Sequence, residues 1–117
     1  MCDNEDDESE AFHVLCGILE DALRTGADAV ELEYEGSGLE VCFMFGNTGL
    51  GSVIVDCELE CGIIAALVEK AKLDRRSRGK MRINLLGERH TVVVEEYESL
   101  GESAFRLSLE KPKRKHM

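Results

Sequence analysis

The residues best suited to chemistry sit in one short run, Asp74-Arg75-Arg76-Ser77-Arg78-Gly79-Lys80. Guanidinium forks match phosphate and carboxylate in a bidentate way, and a glycine in the run lets backbone come close to a bound group. Arg75, Arg76, Arg78 and Lys80 are therefore candidates for holding an anion or an acidic partner. The competing reading is a solvated basic turn. Arg106 joins the candidates from far downstream, with one of the many glutamates as its alternative partner. Glu31, Glu33 and Glu35 alternate with apolar residues, so they share a strand face. Carboxylates spread along a solvated face repel mildly, which does not tune a pair for acid–base work.

Catalysis finds little support. His13, His90 and His116 fall on a helix, a strand and the tail, and no Ser/His/Asp or Cys/His arrangement follows from spacing. Cys57 and Cys61 share a helix face, but no histidine lies close in sequence, and structural zinc needs four ligands. Cys16 reads as a small core residue and Cys2 as the reactive thiol of a tail. Five cysteines, an odd count without a secretory signal, argue against a disulfide framework. The expectation is a non-enzyme with no cofactor and no metal.

The net charge of −10 repels nucleic acid and anionic membrane at long range. No tryptophan, two tyrosines and four phenylalanines leave few platforms for stacking bases. No apolar run is long enough to span a bilayer. The opening Met1–Glu8 segment is acidic and lacks an apolar stretch, unlike a secretory signal. A cytoplasmic location, a protein partner, no nucleic acid and no membrane insertion are expected.

The elements that must position these residues follow from periodicity. Residues 1–8 read as a disordered acidic lead, 9–110 as a single domain and 111–117 as a basic tail. Ser9 caps a helix reaching about Thr25, with Phe12, Leu15, Cys16, Leu19 and Leu23 as its apolar stripe and Gly26 as its terminator. Val30, Leu32 and Tyr34 alternate in a strand. Gly36-Ser37-Gly38 turns the chain into a second strand, in which Leu39, Val41, Phe43 and Phe45 point toward the helices. Gly46–Gly51 reads as a loop and Ser52–Val55 as a short third strand. Asp56 caps a second helix, Cys57–Lys72. The basic segment is a loop leading into Met81–Leu86. Gly87-Glu88 is a tight turn, Arg89–Glu96 a strand, Glu98–Glu102 a turn and Ser103–Leu109 the last strand. The predicted fold is α+β: one antiparallel sheet of about five to six strands with two helices on one face, in the order α-β-β-(β)-α-β-β-β, a PAS-like layout.

Two motifs carry a family resemblance. Gly26-Ala27-Asp28-Ala29-Val30-Glu31-Leu32-Glu33 follows a helix and opens a strand, and Gly101-Glu102 precedes a strand carrying Arg106. Together they resemble the domain that precedes the motor in the ATPases of type II secretion and type IV pili. Departures are plain: Glu31 replaces the family's histidine, and Val41-Cys42-Phe43-Met44-Phe45 lacks the arginines of the family's next strand. The phosphate-binding Gly-x-x-x-x-Gly-Lys-Ser/Thr loop occurs nowhere. The resemblance implies a stand-alone, degenerate copy of that domain. It would act as a protein-interaction or regulatory module whose partner is a secretion or pilus motor ATPase, or a second copy of itself. The alternative is a PAS-like sensor holding a small ligand between sheet and helices.

Overall fold

In the computed structural model, the described residues are 4–35, 38–54, 57–73, 75–99 and 101–110. The fold is α+β. Its elements are α1 (Asn4–Thr25), β1 (Ala29–Glu35), β2 (Gly38–Phe45), β3 (Thr48–Ile54), α2 (Cys57–Ala71), β4 (Arg78–Leu85), β5 (Glu88–Ser99) and β6 (Glu102–Glu110). The strands form one antiparallel sheet in the order β3-β2-β1-β6-β5-β4. Two three-strand meanders meet where β1 pairs with β6, in the register Glu31↔Arg106.

Both helices stop for the same physical reason. At the end of α1, Gly26 adopts φ 85°. Ala27 N–H then donates to the Ala22 carbonyl at 2.9 Å and Gly26 N–H to the Leu23 carbonyl at 3.2 Å. That pair of bonds is a Schellman cap, which satisfies carbonyls the helix leaves unpaired. At the end of α2, Lys72 takes the left-handed position with φ 58° in place of glycine. Leu73 N–H donates to the Val68 carbonyl at 2.9 Å, and the Leu73 side chain is buried.

The core lies between the helices and one sheet face. Leu15 and Leu19 of α1, Ile63 and Leu67 of α2, and Val30, Leu32, Leu39, Val92, Val94 and Leu107 of the sheet are fully buried. Alternation in the strands places these residues on a single face. Ala11 and Ala22 complete the buried stripe of α1, which the larger residues alone had suggested. Phe43 and Phe45 pack on this core but are only half-buried, because β2 lies one strand from the β3 edge.

Several boundaries differ from expectation. α1 begins at Asn4 rather than after Ser9, so residues 4–8 of the acidic lead are helical. Carboxylates are favoured in the first turns of a helix by its dipole, which offsets their modest propensity. β3 starts at Thr48, because Gly46 (φ 65°) and Asn47 suffice for a tight turn and Gly49 and Gly51 continue in strand. β4 starts at Arg78, so part of the expected basic loop is strand. The β4–β5 turn is Leu86-Gly87, both with positive φ, flanked by the pair Leu85↔Glu88. The Asp56 cap, the Gly36-Ser37 turn, Cys2 and the basic tail at 111–117 lie outside the described residues.

Candidate functional site

The sheet face away from the helices is open, and pairing register decides what meets there. Directly opposed residues of neighbouring strands point to the same side. The register links Cys42↔Glu31, Glu31↔Arg106, Arg106↔Glu95 and Glu95↔Arg78. Negative and positive side chains thus alternate across β1, β6, β5 and β4 in one row. Arg106 Nη1 donates to Glu31 Oε2 at 2.6 Å, and Arg78 Nε approaches Glu95 Oε2 at 3.7 Å. The first pair is the tighter and more sheltered, with the Glu31 side chain only 19% exposed. Glu31 is therefore half-buried and paired, not simply part of a solvated face.

The row forms the floor of a pocket of about 470 Å³, lined also by Ser77, Glu96 and Tyr97. Two of the arginines expected to bind a partner, Arg78 and Arg106, thus share one site although they come from distant segments. Lys80 lies on the same face of β4 as Arg78 and is exposed. Arg75 and Arg76 are exposed in the turn before β4, where Arg76 N–H donates to the Leu73 carbonyl at 3.2 Å. They stand beside the pocket and do not line it.

Burial raises the Tyr97 phenol above its ordinary range, and Glu31 and Glu33 add to the rise while Arg106 opposes it. Burial likewise raises the Cys42 thiol, with Glu40, Glu31 and Glu33 adding to the rise. Glu31 and Glu33 of β1 and Glu40 of β2 share this face, since Glu33 stands opposite Glu40 and Glu31 opposite Cys42. The opposite edge carries Arg78, Lys80 and Arg82 on the same face. The open face is therefore acidic at one side and basic at the other, a polarity that orients charged partners as they approach.

Sequence reasoning missed Glu95, Glu96, Ser77 and Tyr97. Glu95 follows a run of valines and nothing local marks it, since its role depends on standing between Arg106 and Arg78. Tyr97, an aromatic among the acidic residues of β5, offered the one local signal. The glycine and aspartate of the first motif serve the architecture: Gly26 caps α1, and Asp28 Oδ2 accepts the Gly46 N–H of the β2–β3 turn at 2.8 Å. Among the described residues no cluster of three or more His, Cys, Asp or Glu has metal-binding geometry. No helix of the described residues is long and apolar enough to cross a membrane.

Compared with known proteins, the chain matches no protein-family model and no curated protein.

Proposed function

We propose that this chain is a non-enzymatic protein-interaction module, resembling the domain that precedes the motor in type II secretion and type IV pilus ATPases. The open, charge-split sheet face with its Glu31–Arg106–Glu95–Arg78 row carries the reading. A face that presents both signs of charge in fixed register suits recognition of a complementary protein surface. The α-β-β-β-α-β-β-β order and the Gly101-Glu102 entry into β6 support the resemblance. Fully buried leucines between helices and sheet support a scaffold over a sensor that holds its ligand there.

In this reading the chain works in the cytoplasm beside a motor ATPase and binds no nucleoside triphosphate itself. The test uses a purified motor ATPase of that class immobilised on a sensor surface. The chain is expected to dock in a salt-sensitive way, and the pair Arg78→Glu and Lys80→Glu, both at exposed positions, should weaken docking about tenfold or more. Calorimetry with ATP and magnesium should give no binding heat at millimolar nucleotide. Micromolar ATP affinity, or docking indifferent to the reversed charges, would overturn the reading.

A further inference from the structure

The two edges of the sheet are unlike. β3 carries no charged residue along Thr48–Ile54. β4 carries Arg78, Lys80 and Arg82 at alternate positions. Lysine and arginine on an edge discourage indiscriminate pairing, yet they favour a strand of opposite charge.

The backbone of β4 is set up for such a strand. A two-residue hairpin turn is flanked by a hydrogen-bonded pair, here Leu85↔Glu88, and bonding then alternates along the ladder. Gly79, Met81, Ile83 and Leu85 therefore bond to β5. Lys80, Arg82 and Asn84 turn their N–H and C=O groups outward from the sheet. The Ser77 carbonyl accepts the Glu96 N–H at 2.8 Å, which agrees with this phase.

Beside this edge lies a cleft of about 510 Å³ between α1 and β4. Phe12, Cys16 and Gly17 line its helical wall beside the polar His13 and Glu20, Arg82 and Asn84 its sheet wall beside Ile83 and Arg89, and Lys70 stands at 4.7 Å over the Phe12 ring. Gly17 is a notch in this wall. A Cβ there would meet nothing within 4 Å. Glycine inside a helix costs about 1 kcal/mol relative to alanine, so its position at the cleft is notable in a helix that packs elsewhere through Leu15 and Leu19.

We infer that this groove takes an extended peptide of alternating acidic and apolar residues, which adds as a seventh strand beside β4. The inference rests on the interaction-module reading and specifies a partner's chemistry. Main-chain groups of Lys80, Arg82 and Asn84 supply the ladder bonds. Acidic side chains of the peptide fall on the open face beside Arg78, Lys80 and Arg82. The alternate, apolar ones enter the cleft against Phe12, Cys16 and the space above Gly17. Glu95 already holds Arg78 at 3.7 Å, so Lys80 and Arg82 are the stronger acidic contacts.

The test titrates the isotope-labelled full chain with a short capped peptide of alternating glutamate and valine. A composition-matched peptide with the residues in blocks is the control. Amide exchange at Lys80, Arg82 and Asn84 should slow on binding, and the blocked control should bind about tenfold more weakly. Gly17→Leu should fill the notch, and Arg82→Glu should reverse the edge charge, each weakening the alternating peptide about tenfold. Protection on β3 instead of β4, equal binding of both peptides, or indifference to both substitutions overturns the inference. Loss of peptide binding with docking to the motor ATPase intact removes this groove alone. Loss of both removes the interaction reading as well.

Discussion

At the scale of single residues, Arg106 and Tyr97 summarise the site. Arg106 is tied to Glu31 at 2.6 Å while remaining 40% exposed, so it is held in place and still reachable. A charge-assisted bond of this kind contributes more than an exposed pair, whose net worth is about 0–1 kcal/mol. Tyr97 titrates above its ordinary value because burial, and then Glu31 and Glu33, disfavour the phenolate. The fold thus prefers the neutral phenol. Its contribution to stability is complete below the unfolded value of about 10 and is lost as pH rises through the raised folded value. Tyr34 is raised in the same direction, first by burial. Ultraviolet titration of the folded chain should show both tyrosines ionising later than free tyrosine. Tyr97→Phe should remove one component and soften the alkaline loss of stability. A wild-type midpoint at or below the free value would show that the pocket does not shield the ring.

At the scale of elements, glycine has opposite meanings at two positions. Gly79, the second residue of β4, lies directly under the end of α2. A Cβ there would run into the Ala71 carbonyl oxygen and press within 3.3 Å of Leu73 Cδ2. The end of α2, capped by Lys72 and Leu73, leaves no room for a side chain at Gly79. Gly79→Ala should therefore destabilise the chain by about 1–3 kcal/mol, the range of a forced overpacking. Gly17 is the reverse case, with open space at its Cβ. Gly17→Ala should stabilise α1 by about 0.5–1 kcal/mol. Urea denaturation of the two variants reads both signs in one experiment. Equal stability of Gly79→Ala and the parent would mean that α2 can lift away from β4.

At the scale of the whole molecule, charge is the dominant fact. A net charge of −10 on 117 residues opposes compaction through self-repulsion. Salt screens that repulsion and also screens docking between charged faces. Raising sodium chloride from about 20 to about 200 mM should lift the midpoint of thermal unfolding by a few degrees while partner binding weakens. Opposite movement of the two readouts separates fold from function. A fall in both would show that ion pairs such as Arg106–Glu31 outweigh the net repulsion.

The sequence by itself determined the fold class, the order of elements and the places where both helices end. Those features rest on local physics: apolar residues at helical or alternating spacing, glycine at a left-handed position, and short polar turns. It also named Arg78 and Arg106 as candidates, because arginine in a glycine-bearing or motif context carries a chemical meaning of its own. Local pattern failed where glycine was ambiguous, as at Gly49 and Gly51, since a cross-strand partner rather than propensity keeps β3 extended. What only the tertiary structure decided is which charges meet. Glu31 and Arg106 are 75 residues apart in the chain and become neighbours only through β1–β6 pairing. Glu95 gains its role from standing between two arginines on other strands, and the β4 groove exists only because α1 lies beside an edge. A register shift of one residue would move every one of these side chains to the other face, so the site is a property of pairing and not of any single segment.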